Sequence, residues 1–263
     1  MSQLHGYYST GLVALSVIIA VLASGAALDL TNRVTAARAR ARVLWLVGGA
    51  FAMGLGIWSM HYVGMLAFHL PIPVLYDVPT VIASLLAAVF ASAVALFVVS
   101  RRALGPVAAL VSSIMMGTGI AAMHYTGMAA MRMPARITYH PFLFTLSVVI
   151  AIIVALVALI LTYELRSDAI RPWDWRRVGS TLLMGAAIPA MHYTGMAAAQ
   201  FFADSVRRCR RARRDRHLRV GHGGHCGIGL PGSRTRAGYV DARSTPRGAG
   251  WYAGAVCGTR RVV

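Results

Sequence analysis

The sequence predicts an all-α fold, a polytopic membrane helix bundle in which six transmembrane helices are built as three helical-hairpin repeats. The 263 residues are 57% hydrophobic and only 13% charged, and their mean hydropathy is +0.63, which is unusual for a soluble globular protein. Six apolar stretches each approach the roughly 20 residues that a helix needs to cross a bilayer. One motif, Met-His-Tyr-x-Gly-Met, occurs three times, near the end of every second stretch.

The individual spans follow from the breaks between the apolar stretches. The first stretch ends at Asp29 and an arginine-rich link, and a proline-rich link that begins at Pro71 separates the second from the third. Arg101, Arg132 and Glu164 mark the later links, because charged residues are costly inside a bilayer. The predicted spans are Thr10–Leu28, Val43–Ala67, Thr80–Val99, Pro106–Met131, Phe142–Tyr163 and Val178–Phe202.

Arginines in the links predict the orientation. The links after the first, third and fifth spans hold four, two and four arginines, whereas the N-terminal segment and the link after the second span hold none. Cytoplasmic links are enriched in basic residues, so we expect a periplasmic N-terminus, with the second, fourth and sixth spans ending at the outer face. Arg132 and Arg136, after the fourth span, depart from this pattern. The residues before Thr10 lack the positive charge of a signal peptide, so the first stretch is predicted to remain as a span.

Composition changes abruptly after the last apolar stretch. Residues 1–206 hold 12 arginines against 6 acidic residues, and residues 207–263 hold 14 against 2. All three cysteines lie in this second part, so no disulfide is expected between the spans. We therefore predict a membrane domain over residues 9–203 and an Arg/Gly-rich, disordered tail over residues 204–263. The tail is interpreted as an out-of-frame translation, with a genuine basic tail that binds anionic surfaces as the alternative.

The motif belongs to an internal repeat. Residues 54–65, 117–128 and 185–196 match one another, and their histidines are 63 and 68 residues apart, which is one helical hairpin per repeat. Repeats of this kind often form sites at a pseudosymmetric centre. Glycines in each copy allow helices to approach closely. We therefore expect one histidine from each copy to meet at the same depth in the membrane.

The residue types in the motif predict a metal site. Residues four apart share a helix face, so each copy presents an imidazole and a thioether together, while the first methionine of the motif points about 100° away and suits a packing role. A lone histidine or methionine in a span is usually a packing residue, but three copies in phase favour ligation. The predicted ligands are Met60, His61, Met65, Met123, His124, Met128, Met191, His192 and Met196.

Copper is the metal that this ligand set favours. Thioethers select Cu(I) and imidazoles suit copper, zinc, iron and nickel, whereas magnesium and calcium need oxygen ligands. Haem is the rival cofactor, although no attachment motif supports it. Tyr62, Tyr125 and Tyr193 either hydrogen-bond the second imidazole nitrogen or act as membrane-interface residues. His69 and His140 are weaker ligand candidates near the same end of the spans.

Three Met-His-Tyr-Thr/Val-Gly-Met motifs that close alternate helices of a six-span bundle resemble the MHYT domain family of bacterial integral membrane sensor proteins. The resemblance covers about residues 9–203, and Val63 replaces threonine in the first copy. It implies a protein of the bacterial cell inner membrane that binds copper through the methionines, histidines and tyrosines of the motif. It also implies sensing of a diatomic gas (O2, CO or NO) or of redox state.

The resemblance also indicates which partners and which class of function to expect. Many family members carry a cytoplasmic domain that makes or degrades cyclic di-GMP; nothing after Phe202 resembles one, so we expect a cytoplasmic signalling partner in trans. A membrane copper-handling or transport protein is the alternative, and it requires a ligand path across the bilayer. An enzyme is not expected, because the spans lack a nucleophile, a carboxylate pair and a nucleotide loop. The lipid bilayer is an expected partner, and nucleic acid is not.

Overall fold

Six helices form the membrane domain of the computed structural model, which describes residues 3–101, 103–166 and 175–203. The tail from residue 204, with the interpretations attached to it, lies outside the described residues. The helical bundle predicted from the sequence is confirmed. The helices are α1 Thr10–Ala36, α2 Ala39–Ala67, α3 Val78–Val99, α4 Pro106–Ala129, α5 Pro141–Leu165 and α6 Trp175–Ala198.

Most helix ends differ from the predicted span boundaries by a few residues, and two of the differences have a clear cause. Helix α1 continues beyond Leu28 to Ala36, because Arg33 pairs with Asp29 one turn earlier at 2.7 Å and both side chains are about half exposed. Such pairs support a helix outside the apolar layer. The sixth span was predicted to reach Phe202, but α6 ends at Ala198 because the next five residues pair as a strand.

Short strands cap one end of the bundle. They precede an odd-numbered helix or follow an even-numbered one, so they all lie at the same end, the strand end. β2 pairs with β3, β4 with β5 and β6 with β7, all antiparallel, and β1 also joins β7. The strands are β1 Gln3–Leu4, β2 Tyr7–Tyr8, β3 Phe68–His69, β4 Leu75–Tyr76, β5 Met131–Arg132, β6 Ala135–Tyr139 and β7 Ala199–Ala203. The links after α1, α3 and α5 form the opposite end, the arginine end.

The helices form a closed ring with approximate threefold symmetry. Each helix packs on its neighbours in the chain, and α6 packs on α1. At the strand end, the backbone N–H of the residue that precedes α1, α3 and α5 donates a hydrogen bond to a carbonyl at the end of α2, just after α4 and at the end of α6, respectively. The pairs are Ser9 to Ala67 at 2.9 Å, Asp77 to Ala130 at 2.9 Å and His140 to Ala198 at 2.8 Å.

Equivalent glycines allow the helices to approach one another closely. A Cβ at Gly54 would lie 2.7 Å from the Cα of Val89 on α3, and one at Gly117 would lie 2.6 Å from the Cα of Ile152 on α5. Gly185 has the same relation to Val21, also at 2.6 Å. The pairs are therefore α2 with α3, α4 with α5, and α6 with α1. The third pair therefore joins the last of the six helices to the first.

The ring has the surface of a membrane protein. Five of the described helices, all except α6, are long and apolar enough to cross a membrane. Large apolar side chains face outward along them, such as Leu22, Leu44 and Ile153, which are 68%, 73% and 55% exposed. Helix α6 is less apolar because it begins with Trp-Arg-Arg and carries Pro189, but it completes the same ring. The chain is therefore a multi-pass membrane protein.

Candidate metal centre

The three histidines of the repeated motif meet on the axis of the ring. The Nδ1 atom of His61 lies 3.0 Å from that of His192 and 3.2 Å from that of His124, and the last two lie 3.2 Å apart. All three side chains have no solvent exposure. Among the described residues, they are the group of histidine, cysteine or acidic side chains placed to hold a metal ion. We call them the histidine triad.

A glycine on the next even-numbered helix receives each imidazole. A Cβ at Gly127 would overlap the Nε2 atom of His61, so that ring fits only against bare backbone. The same relation joins His124 to Gly195 and His192 to Gly64. These glycines are the fifth residue of each motif. Each of α2, α4 and α6 thus contributes one imidazole and accommodates another, which the sequence did not reveal.

Three neutral imidazoles alone cannot form favourable hydrogen bonds at all three Nδ1 contacts. A neutral imidazole nitrogen is either a donor or an acceptor, and each Nδ1 atom contacts the other two. At least two of the three atoms must therefore have the same role, which leaves one contact between two donors or two acceptors. Unpaired polar groups are costly at a fully buried site. A cation bound by all three lone pairs removes the conflict.

The spacing of the triad also fits a metal ion. The centre of a triangle with these sides lies about 1.8 Å from each nitrogen, close to the ~2.0 Å of a metal–imidazole bond. With Nδ1 used for ligation, the proton resides on Nε2. The three Nε2 atoms lie against the glycine backbone, and none has a hydrogen-bond partner of good geometry within the described part of the chain.

The predicted methionines lie on either side of the triad. The last methionine of each motif packs at the strand end in one cluster with Met133 and Phe201; these three are Met65, Met128 and Met196. The first methionine of each motif is fully or almost fully buried: Met60, Met123 and Met191 are 0%, 0% and 1% exposed. Met123 and Met191 pack with Ala91 and Ala151 of the odd-numbered helices. Each histidine of the triad thus has one methionine directly before it in the sequence and another four residues after it.

The tyrosine hydroxyls point to the odd-numbered helices, not to the second imidazole nitrogen. Tyr125 Oη lies 2.6 Å from Ser147 Oγ, and Tyr193 Oη lies 2.8 Å from Ser16 Oγ. The equivalent serine for Tyr62 is Ser84, where the indole of Trp58 donates the hydrogen bond at 3.1 Å.

Of the two roles considered for the tyrosines, the hydrogen bond to imidazole is therefore not the one observed. Each tyrosine ring instead lies edge-on to the preceding histidine, with centroids 5.3, 4.8 and 4.8 Å apart for Tyr62, Tyr125 and Tyr193.

The two weaker histidine candidates do not join the triad. His69 stacks on Tyr7 with ring centroids 5.1 Å apart, and its Nδ1 atom lies 3.1 Å from the carbonyl oxygen of Ala67. His140 precedes α5 and donates its backbone N–H to Ala198. Both belong to the strand end.

Comparison with known proteins identifies the repeat. The family model of MHYT, described as a bacterial signalling protein N terminal repeat, matches residues 1–44, 54–112 and 117–171. The second and third matches begin at Gly54 and Gly117, the start of the first two motif copies. No solved structure matches the chain significantly.

Curated relatives are signalling proteins. The chain is 53% identical over 194 residues to the bifunctional diguanylate cyclase/cyclic di-GMP phosphodiesterase MucR of Pseudomonas aeruginosa, which covers 74% of this chain and 28% of the relative. It is 47% identical over 191 residues to the cyclic di-GMP phosphodiesterase NbdA of the same species, covering 73% and 24%. It is 40% identical over 204 residues to the signaling protein YkoW of Bacillus subtilis, covering 77% and 25%. The chain thus spans about a quarter of the length of these relatives.

Proposed function

Because this chain belongs to the MHYT family of bacterial signalling repeats, we propose that it is a membrane-embedded sensor whose histidine triad binds copper. The observation that carries this proposal is the contact of three buried Nδ1 atoms at 3.0–3.2 Å. Three imidazoles, each on a helix that also carries a methionine four residues later, form a ligand set that suits copper better than a hard cation. The described residues place no carboxylate or cysteine in the group.

Bound copper would supply a one-electron redox couple and an affinity for diatomic gases such as O2, CO or NO. The residues of the chain orient and isolate the site. The glycines fix the imidazoles against the neighbouring helices, and the tyrosine rings support them from the side. The cluster of Met65, Met128 and Met196 packs at the strand end, one helical turn beyond the triad, where its thioethers are candidate soft ligands. Water is excluded, whereas a small apolar gas dissolves readily in such surroundings.

The triad also couples the three even-numbered helices. Each helix holds one imidazole and contacts the next, so a change in the nitrogen spacing displaces α2, α4 and α6 together. A ligand transmits a signal only if it binds two helix arrangements with different affinity. By the positive-inside rule, the arginine end is cytoplasmic and the strand end is periplasmic. We propose that the displacement at the arginine end is passed to a cyclic di-GMP partner of the kind named among the relatives.

Copper handling or transport is the second candidate function. It requires soft ligands deeper in the membrane than the triad. Three further methionines, Met53, Met116 and Met184, line cavities between the triad and the arginine end, and this observation favours the second candidate.

The test is copper binding by the purified full chain under reducing conditions. We expect wild-type protein to retain copper after removal of weakly bound metal, and His124→Ala to lose it. His69→Ala is the matched control, because this histidine lies at the same end of the bundle but outside the triad. CO or NO added to the loaded protein should then change its spectrum. Equal copper retention by wild type and His124→Ala would refute the proposed centre.

A further inference from the structure

A second set of equivalent methionines lies below the histidine triad. Met53, Met116 and Met184 each stand eight residues before a histidine of the triad. At 1.5 Å per helical residue, this places them about 12 Å from the imidazoles, toward the arginine end. They belong to none of the repeated Met-His-Tyr-x-Gly-Met motifs. We call them the methionine ring.

The methionine ring lies between two internal cavities. The cavity nearer the triad has a volume of ≈ 70 Å³ and that nearer the arginine end ≈ 50 Å³. Six residues line both cavities, and they form two complete threefold sets: Met53, Met116 and Met184 from the even-numbered helices, and Ala27, Ala95 and Ala158 from the odd-numbered ones. All three methionines therefore border the same two small spaces inside the bundle.

Two other sets of three equivalent residues show the order of the layers along the axis of the bundle. Ile57, Ile120 and Ile188, one turn before the histidines, line only the upper cavity. Thr31, Val99 and Thr162, near the arginine end, line only the lower one. The axis therefore runs from the triad through the isoleucines to the methionine ring, and then to the threonines.

Gap filling does not account for the methionine ring. Methionine often fills irregular core spaces, but here a cavity borders the ring on each side, and alanines line both cavities. One polar group also points to a ligand, because Ser92 Oγ is buried at the upper cavity without a hydrogen-bond partner. The hydroxyl of Thr162 donates to the carbonyl oxygen of Ala158 at 2.6 Å, and the sulfur of Met184 lies 3.9 Å from the same hydroxyl oxygen.

We propose that Met53, Met116 and Met184 form a second metal site, which binds a soft monovalent ion of the Cu(I) class through three thioether sulfurs. Thioethers select Cu(I) over harder ions. The lining offers no charged side chain, so a monovalent ion is favoured over a divalent one, whose burial without a counter-charge costs far more. The site does not depend on the histidine triad, and it places soft ligands deeper in the membrane, as copper handling requires.

Silver(I) is the probe, because it is soft, monovalent and needs no reductant. The full chain is purified with Cys209, Cys226 and Cys257 changed to Ser, so that thiols do not bind the probe. The test variant carries Met53→Leu, Met116→Leu and Met184→Leu, a change that nearly conserves volume. Met115→Leu is the control, because Met115 is 43% exposed on the outer surface of α4.

The proposal predicts one fewer bound silver ion per chain in the triple variant than in the parent, and no loss in Met115→Leu. In His124→Ala, which disrupts the triad, X-ray absorption should still show a silver ion with sulfur neighbours only. Loss of copper binding at the triad with retention of this silver ion would thus separate the two sites. If the triple variant does not fold, Met116→Leu alone should weaken silver binding at least about tenfold.

An equal silver content in the parent and the triple variant would overturn the proposal. So would uptake of xenon into the cavities without silver binding there, because that result would identify them as dry apolar spaces.

Discussion

The imidazole of His192 lies against Gly64, on the same helix that contributes His61 to the triad. Helix α2 thus provides one imidazole of the triad and, three residues later, the space for an imidazole from another helix. Repetition of this relation around the ring ties the three motif copies into one unit. The glycine of each motif is therefore part of the site, because it leaves room for an imidazole from another helix.

Gly195→Ala tests this relation. The added methyl group would overlap the ring of His124, so we expect loss of copper binding and a decrease of about 1–3 kcal/mol in the free energy of unfolding. Gly179→Ala, in the same helix, has open space within 4 Å and should keep copper and gain up to about 1 kcal/mol. Thermal unfolding in detergent with metal analysis measures both. Normal copper content in Gly195→Ala would show that the glycine does not position the ring.

Tyr125→Phe separates the structural role of the tyrosine hydroxyl from ligation. It removes the 2.6 Å hydrogen bond to Ser147 and should cost about 0.5–1.5 kcal/mol, because Ser147 keeps its bond to the Phe144 carbonyl. Copper content should not change, since the aromatic ring remains beside His124. A double-mutant cycle with Ser147→Ala isolates the pair. If Tyr125→Phe released copper, the hydroxyl would be a ligand, contrary to the observed geometry.

Copper should stabilise the fold. An ion that binds only the native state adds about 2.7 kcal/mol at a free concentration of 100 Kd. We expect Cu(I) to raise the melting temperature of the wild type and of His69→Ala, and a Cu(I) chelator to reverse the increase. In His124→Ala, Cu(I) should raise the melting temperature much less. A similar shift in all three proteins would place the stabilising ion elsewhere.

Asp77 should make stability depend on pH at the strand end. Thr80 donates to this carboxylate at 2.6 Å, Arg132 pairs with it at 3.1 Å, and together these contacts lower the pKa of Asp77 below its ordinary 3.8. A lowered pKa adds stability above pH 3.8, and this is lost as the pH falls through the lowered value.

The wild type should therefore melt above Asp77→Asn at pH 7, with the difference shrinking below pH 3.8, the ordinary pKa. Asparagine still caps the helix. Thermal unfolding of both proteins between pH 7 and pH 3 measures the difference, and a difference that stays constant over this range would exclude a role for the charge.

Much of the bundle could be predicted because hydropathy and spacing report it directly. His61, His124 and His192 lie six, five and six residues before the ends of α2, α4 and α6, which places them at nearly the same depth. The strands were not predicted, because five of the seven have only two residues and so no detectable period. They depend on the ends of distant helices that the ring brings together.

The contacts between repeats could not be predicted from the sequence either. Gly64 lies in the same motif as His61, yet it receives His192, a residue 128 positions away in the chain. Ser147 resembles any small polar residue in an apolar helix until Tyr125 is placed beside it. Met53 was missed for a similar reason: methionine is common in apolar helices, and only the shared cavities distinguish this one.

X-ray absorption at the copper edge of the loaded full chain tests the central claim most directly. Three imidazole nitrogens held by three different helices predict about three nitrogen scatterers near 2.0 Å, with the outer-shell pattern of imidazole. That pattern should disappear in His124→Ala and persist in His69→Ala. Bound copper without imidazole in its first shell, or with the same spectrum in His124→Ala as in wild type, would contradict the account.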